Sequence, residues 1–245
     1  MKITERQQRI LKAVVVDYME KGVPVGSSNL VKRYDLPASP ATVRYEMAAL
    51  AKEGLIMKPH RSAGRAPTIM GLRHYLTELF SEKVVDYMVE VEVKQRLAKV
   101  KFDREMMLRE CVSLLAERTG DLGFCVMEDG PRVGGISNLL KLEKKSLATV
   151  FAMLEDDRMF RKVLNTIDKE GVVVLLGKEI GLSNMDECAV VFRRVKLYGE
   201  SGWIGVFGKL STDYRFVIPF VTLVCQSAEQ ESGHWKKKHK KTAKR

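Results

Sequence analysis

The chain has 245 residues, of which 45% are hydrophobic and 30% charged, and its formal net charge is +11. This length allows one or two domains with a buried core, and the absence of a run of 18 apolar residues argues against a membrane partner. The N-terminus also lacks the apolar centre of a secretory signal, so we expect a soluble, cytoplasmic protein. The four cysteines are far apart in the sequence, which predicts reduced core thiols and neither a metal site nor a disulfide.

The positive charge is concentrated at the two ends of the chain. Residues 1–80 contain 13 Lys and Arg against 7 Asp and Glu, and residues 229–245 contain 7 against 2. Residues 81–228 contain 22 of each sign. Basic ends around a neutral middle favour an anionic polymer as the partner. For the tail at 229–245, which we predict to be disordered, nucleic-acid binding and a mere gain in solubility are both open.

Two helices are predicted before residue 35. Thr4 opens a capping box for the first helix, and Gly22 ends it. Ser27 or Ser28 is predicted to cap a short second helix. Residues 35–38 then form the turn into a third helix.

The third helix has a buried stripe and a polar outer face. Ser39 is a good N-cap, and Pro40 fits the first helical position, where its missing N–H costs nothing. The outer face carries Thr42, Arg44 and Tyr45. The stripe, spaced i, i+4 and i+7, comprises Val43, Met47 and Leu50.

A basic loop follows this helix. Residues 55–58 are predicted to form a short strand, residues 60–65 a tight basic loop, and residues 68–81 a fourth helix. Three helices followed by a strand, a turn and a return strand are the plan of a winged helix-turn-helix. In that motif, the third helix reads the major groove and the wing contacts the backbone or the minor groove.

Arg44 is the best candidate for reading bases, because its guanidinium fork matches guanine O6 and N7. A salt bridge to Glu46 or Glu53 is the alternative role for this side chain. In the loop, Arg61 and Arg65 suit phosphates or a narrow minor groove. The predicted DNA-binding residues are Ser27, Ser28, Ser39, Thr42, Arg44, Tyr45, His60, Arg61, Ser62, Gly64 and Arg65. Local capping or hydrogen bonding explains Ser27, Ser28 and His60 equally well.

The rest of the chain divides into a connector and a second domain. Residues 81–120 are helical with few breakers and are predicted either to form a dimer contact or to pack on their own chain. Residues 121–228 mix strands at 123–127, 172–176, 189–197 and 203–207 with helices at 145–155 and 157–169. Residues 199–202 are predicted to form a hairpin turn. An antiparallel sheet with helices on one side is the simplest α+β arrangement for this pattern.

No catalytic site is predicted. Residues 172–179 follow a strand as a phosphate-binding loop does, but they lack the required first glycine and the Ser/Thr after Lys178. The sequence has no GxSxG and no HExxH motif. We therefore expect a protein that is not an enzyme and has no cofactor.

Residues 24–76 resemble the N-terminal domain of the heat-inducible transcription repressor HrcA family. The resemblance depends on an ordered set of short motifs and not on any one of them. These motifs are PVGS at 24–27, ATVR at 41–44, EM at 46–47, PH at 59–60, SAGR at 62–65 and PT at 67–68. Residues 133–140 and 205–208 more loosely resemble the GAF-like domain of the same family.

The resemblance implies an α+β protein in which a winged helix-turn-helix domain is joined by a helical connector to a GAF-like antiparallel-sheet domain. It further implies a homodimeric repressor on an inverted-repeat operator before chaperone genes, kept active by the chaperonin GroEL. A metabolite sensor with an effector in the GAF-like domain is the alternative.

Two features depart from the family pattern. Family members are longer and carry an inserted dimerisation segment, for which residues 127–131 leave no room. Tyr45 stands where the family usually has asparagine, so the operator need not be the family one.

Overall fold

The computed structural model of the protein describes residues 3–165 and 170–242, with side chains described up to residue 233. The chain divides into two compact units. The first comprises Met1–Ser81 and Ser211–Tyr214, and the second comprises Glu82–Leu210 and Arg215–Arg245. Within the described ranges, no helix is long and apolar enough to cross a membrane.

The first unit contains three helices, a two-stranded sheet and a fourth helix that continues as a π-helix. Val43, Met47 and Leu50 of the third helix are buried, as the sequence predicts. The elements are α1 (Glu5–Lys21), α2 (Ser27–Tyr34), α3 (Pro40–Lys52), β1 (Ile56–Met57), β2 (Ala66–Pro67), α4 (Ile69–His74) and the π-helix (Tyr75–Leu79).

The caps of the first two helices differ in how well the sequence predicts them. Thr4 N–H donates to Gln7 Oε1 at 3.0 Å and Gln7 N–H donates to Thr4 Oγ1 at 3.2 Å, so the predicted capping box is confirmed. The predicted serine cap of α2 is wrong, because Gly26 is the N-cap and no side chain bonds there. Ser27 is instead the first helical residue and is only 7% exposed.

The second unit is built on a five-stranded antiparallel sheet with strand order β4-β3-β7-β6-β5. Its strands are β3 (Leu122–Met127), β4 (Gly130–Gly134), β5 (Val172–Leu176), β6 (Cys188–Leu197) and β7 (Glu200–Lys209). Its helices are α5 (Tyr87–Val100), α6 (Arg104–Thr119), α7 (Lys144–Glu155), α8 (Asp157–Leu164) and α9 (Tyr214–Thr242). The predicted α+β class, with mixed helices and antiparallel strands, is confirmed.

Helices cover both faces of this sheet, which corrects the expectation of helices on one side. Phe124 of β3 packs in a cluster with Val150 of α7 and Phe160 of α8, and the two phenyl rings are 4.9 Å apart. The preceding Gly123 faces the other way, where an added Cβ would lie 2.4 Å from the Val112 carbonyl oxygen of α6. Alternate residues of a strand face opposite sides, so a fully buried strand indicates two covering layers.

The turn between β6 and β7 lies earlier than predicted. Leu197 pairs with Glu200, so the turn consists of Tyr198 and Gly199 rather than residues 199–202. Both turn residues have positive φ, 53° and 98°. Two positive φ values in a two-residue loop match the right-handed twist of the flanking strands.

Three other predicted segments differ in extent from the observed elements. Strand β4 occupies residues for which no strand is predicted. Helix α8 ends at Leu164, and residues 166–169 of the predicted helix lie outside the described residues. Helix α9 extends through Thr242 and so includes most of the tail predicted to be disordered, while residues 243–245 lie outside the described residues.

The connector predicted as one helical stretch consists of two helices, α5 and α6, separated by residues 101–103. Asp103 caps α6 by accepting from the Met106 N–H at 3.0 Å. Val93 and Leu97 of α5 are buried. Arg96 of α5 bonds Glu110 of α6 and Glu117 of α6, the latter at 2.8 Å. Part of the apolar face of the connector therefore packs within its own chain.

The Glu117 carboxylate is expected to make the stability of this helix pair depend on acid. Hydrogen bonds from Arg96 lower the pKa of Glu117 from 4.5 to about 2. A lowered pKa stabilises the folded state above pH 4.5, and this contribution is lost as pH falls from 4.5 towards 2. The urea concentration at the unfolding midpoint, measured by circular dichroism, should therefore decrease between pH 6 and pH 3. We expect this decrease to be smaller in Glu117→Gln. Glu155→Gln, at the exposed end of α7, is the control and should show the same decrease as the parent protein.

Candidate nucleic-acid interface

Ser39 and Thr42 are held in the N-terminal cap of α3. Ser39 Oγ accepts from the Thr42 N–H at 3.1 Å, and the two hydroxyl oxygens are 2.9 Å apart. Pro40 occupies the first turn. The cap fixes where the helix begins and thereby which of its residues face outward. Both hydroxyls thus have a structural role in addition to any contact with DNA.

The outer face of α3 presents Arg44 and Tyr45 to solvent, and Tyr45 is 76% exposed. The alternative role for Arg44, a salt bridge to Glu46 or Glu53, is not observed among the described residues. Glu46 instead pairs with Arg6 of α1 at 3.5 Å and accepts from Gln7 at 3.1 Å. Among the residues that the structure describes, Arg44 has neither an ion pair nor a hydrogen bond from its side chain. Its five guanidinium donors are therefore available to a ligand.

The basic loop is tied to the segment before α2 through its backbone. Val25 N–H donates to the Arg65 carbonyl and Arg65 N–H donates to the Val25 carbonyl, each at 2.8 Å. Gly64 makes this approach possible, since a Cβ there would lie 2.5 Å from the carbonyl carbon and oxygen of Val25. Strands β1 and β2 pair through Ile56 and Pro67 at the base of the loop. The loop is thereby held beside the start of α2.

A concave pocket of about 300 Å³ lies where α2, α3 and the loop meet. Three cations line it, and its walls include no carboxylate. Lys58 is not among the predicted binding residues, although its position just before the basic loop is a signal for such a role. The pocket brings together five of the predicted residues, Ser27, Arg44, Ser62, Gly64 and Arg65, with Gly26, Met47, Lys58 and Ala63. An uncompensated cluster of this kind suits a phosphate group.

Besides Ser39 and Thr42, four predicted residues lie outside this pocket. Ser28 and Tyr45 are exposed on their helices, and Arg61 is exposed in the loop. His60 Nδ1 lies 3.3 Å from Ser62 Oγ, so its local partner is a side-chain hydroxyl and not the backbone group that its alternative role requires. The loop is closed by the Ala63 N–H, which donates to the His60 carbonyl at 2.9 Å.

Arg61→Ala is expected to weaken binding to every DNA sequence by a similar factor. Arg61 lies in the exposed loop, where a cation reaches phosphates and not base edges. Loss of one phosphate contact should reduce the slope of log K against log salt by about 1. Fluorescence anisotropy with specific and scrambled duplexes at several salt concentrations measures both effects. A loss confined to one sequence would contradict this assignment.

The second unit has a groove of about 710 Å³ between α6 and β4. Its main polar side chains are already paired within the protein. Glu117 binds Arg96, Arg132 binds Glu105 at 2.8 Å, and the Asn138 amide donates to the Asp121 carbonyl at 3.0 Å. An effector in the GAF-like domain, the alternative implied by the resemblance, therefore stays a prediction that ligand-induced thermal shift would test.

The thiols are poor candidates for chemistry. All four cysteines are buried and form no disulfide. Burial raises the pKa of Cys125 to about 12 and that of Cys188 to about 11, so both stay protonated near neutral pH. In the described part of the chain, no group of three or more His, Cys, Asp or Glu side chains is arranged to hold a metal ion.

Taken together, the first unit has the element order of a winged helix-turn-helix with a basic concave surface, and the second is an α+β sheet domain. These features define a class of two-unit DNA-binding regulators. The family model described as the HrcA protein C terminal domain matches residues 66–218. The chain belongs to the HrcA family.

Two relatives are consistent with this membership. The chain is 38% identical over 137 residues to the heat-inducible transcription repressor HrcA of Moorella thermoacetica, covering 56% of this chain and 39% of that protein. It is 51% identical over 77 residues to the repressor of the same name from Staphylococcus carnosus, covering 31% and 24%. The matches thus span less than half the length of these relatives.

The fold of the whole chain has a counterpart among solved structures. A crystal structure of a hypothetical protein matches 96% of this chain and 100% of its own with a TM-score of 0.77. The two sequences are 19% identical, so this likeness concerns the fold alone.

Proposed function

We propose that the protein is a sequence-specific DNA-binding repressor of heat-shock genes that encode chaperones, acting in the cytoplasm as a homodimer on an inverted-repeat operator. The observation that carries the proposal is the free guanidinium of Arg44 beside the cations Lys58 and Arg65. The relatives' name, heat-inducible transcription repressor, supports the regulatory role. No catalytic role is proposed.

Each segment has a part in this proposal. Residues 1–80 bind DNA, residues 81–120 connect and contribute to the dimer, and residues 121–228 form the GAF-like domain. The basic tail at 229–245 adds positive charge. The first compact unit, Met1–Ser81 with Ser211–Tyr214, supports the boundary near residue 80, although it also includes four residues of the proposed GAF-like segment.

The proposed binding mode places α3 in the major groove. Arg44 donates two parallel hydrogen bonds to guanine O6 and N7, while Thr42 and Tyr45 contact a thymine methyl or a neighbouring base edge. Arg61 and Arg65 bind phosphates or enter the adjacent minor groove. In a dimer, two α3 helices enter successive major grooves about 34–36 Å apart, which an inverted repeat matches.

The test is a selection of bound duplexes from random DNA at a stated salt concentration. We expect enrichment of an inverted repeat and tighter binding to it than to scrambled DNA of equal length. Equal affinity for both duplexes, with folding verified by circular dichroism, would overturn the proposal.

We also propose that the chaperonin GroEL keeps the repressor active, so that unfolded clients relieve repression under heat stress. The resemblance to the repressor family supports this partner. Added chaperonin should raise the DNA-binding fraction of the purified protein, and an excess of unfolded protein should reverse the gain. An unchanged active fraction would count against this partner while leaving the DNA-binding proposal intact.

A further inference from the structure

The outer edge of β4 carries a surface that DNA binding does not use. β4 stands at one end of the sheet order, so in the described part of the chain only β3 pairs with it. All five of its residues are partly exposed. The groove of about 710 Å³ runs between this strand and α6. An unpaired strand edge beside an open groove is a place where a further strand can add.

Pro131 indicates which backbone groups of β4 point away from the sheet. Within sheets, proline occupies edge positions whose nitrogen faces away from the neighbouring strand. Pro131 lies opposite Val126, and two residues later Val133 lies opposite Phe124. Because hydrogen-bonded and non-hydrogen-bonded pairs alternate along an antiparallel ladder, Val133 directs both its N–H and its carbonyl outward. The N–H of Gly135 follows on the same side.

These outward groups match a second copy of the same strand. With a two-fold axis at Val133, each Val133 N–H donates to the partner subunit's Val133 carbonyl. In the same register, the Gly135 N–H donates to the carbonyl of the partner's Pro131. A regular ladder would require one more donor, which proline lacks. Its acceptor, the Gly135 carbonyl, already accepts from the Asn138 N–H at 2.9 Å. Self-pairing therefore leaves no group of this edge without a partner.

We infer that two copies of the protein associate through the outer edge of β4 and the adjoining face of α6, joining their five-stranded sheets into one. This inference identifies the interface of the proposed homodimer, and it rests on the proposed function only because that function requires a dimer. It also places the dimer contact partly in residues 81–120, for which the sequence leaves a dimer contact and packing on the same chain both open.

The position of α6 is compatible with this seam. A Cβ on Gly134 would lie 2.8 Å from Val112, so the middle of α6 lies level with the proposed axis. With strands about 4.8 Å apart, two helices that each overlie β3 and β4 are separated by ~10 Å, a normal helix packing distance.

The charges on α6 are self-complementary in this arrangement. Arg109 pairs with Glu105 at 2.7 Å and Glu117 with Arg96 at 2.8 Å within the same chain, yet 72% and 51% of these two side chains stay exposed, and both line the groove. The two helices run antiparallel across the axis, which brings Arg109 towards the partner subunit's Glu117. Ser113, midway between them, is small enough to allow close approach. A second copy therefore fits the surface in both backbone hydrogen bonding and charge.

Sedimentation equilibrium of the full chain tests the inference. Val133→Pro removes an outward N–H without removing a bond to β3, and we expect the dimer dissociation constant to rise at least ten-fold. Arg109→Glu should raise it several-fold, more so at low salt. Arg158→Glu, at a side chain 93% exposed on α8, is the matched control and should have no effect. Circular dichroism verifies that each variant is folded.

Hydrogen exchange gives an independent measurement on the unaltered chain. The amides of Val133 and Gly135 should be protected above the dissociation constant and should exchange faster on dilution, whereas those of Arg132 and Gly134 should be protected at both concentrations. Three results would overturn the inference: a monomer at all concentrations, a dimer that neither variant weakens, or exchange rates of these amides that do not change on dilution.

Two results separate the inference from the proposed function. A dimer that fails to bind DNA would overturn the proposed function alone. Operator binding by a dimer that the β4 variant does not weaken would overturn the inference alone.

Discussion

Arg44→Ala is expected to weaken operator binding by about 1–3 kcal/mol, a factor of roughly five to 150 in the dissociation constant. The guanidinium is exposed and has no partner among the described residues, so its loss leaves no buried group unsatisfied. The expected loss therefore comes from DNA contact and not from instability. Specificity should relax at one base pair in each half-site, because no neighbouring side chain replaces the bidentate contact.

Fluorescence anisotropy with the selected duplex measures this loss, and a repeated selection with the variant measures the relaxed position. Arg44→Lys keeps the charge without the planar fork, so its affinity should lie between that of the parent protein and that of Arg44→Ala. Lys12→Ala, an exposed cation on α1 outside the basic pocket, is the matched control and should keep full affinity. An Arg44→Ala protein that binds and discriminates like the parent would mean that α3 does not read the operator.

Gly71→Ala is expected to destabilise the first unit by about 3 kcal/mol, the upper end of the usual cost of overpacking. A Cβ at Gly71 would lie 1.9 Å from the Leu55 carbonyl oxygen, which is backbone and has little freedom to move. The same oxygen accepts from the Thr68 N–H at 3.0 Å, and the Gly71 N–H donates to Thr68 Oγ1 at 3.0 Å. The added methyl group should force α4 away from the start of β1 and break both contacts.

Differential scanning calorimetry should then show the transition of the first unit lowered by roughly 10 °C or more. Gly26→Ala is the matched control, because no atom lies within 4 Å of its added Cβ and its φ is −91°. It should cost less than about 1 kcal/mol, the loss of a glycine cap. Equal melting of the two variants would contradict the steric argument.

Local interactions explain the elements that the sequence predicts correctly. The capping box at Thr4 and the Ser39–Pro40 start of α3 each depend on residues within one helical turn. The buried stripe of Val43 and its neighbours follows from helical spacing alone. Such features can be predicted from the sequence because every atom involved lies within a few residues along the chain. The basic loop can be predicted for the same reason.

The missed features all depend on contacts between distant residues. The partner of Glu46 is Arg6, some forty residues away, and this choice leaves Arg44 free. Lys58 and Ser27 line the same pocket only because the backbone β-bridge between Val25 and Arg65 holds the loop beside α2. The second helical layer on the sheet could not be predicted either, since a buried strand has the same apolar sequence pattern whichever helix covers it.

The sequence by itself determined the α+β class, the boundaries of α1 and the buried stripe of α3, and it predicted which residues could contact DNA. The tertiary structure decided which of those residues share a surface, which are already committed to caps or ion pairs, and which strand edge stays open. The division has a physical reason. Caps, helical periodicity and turns depend on interactions between neighbouring residues. Pockets and unpaired strand edges depend on which segments far apart in the sequence contact each other.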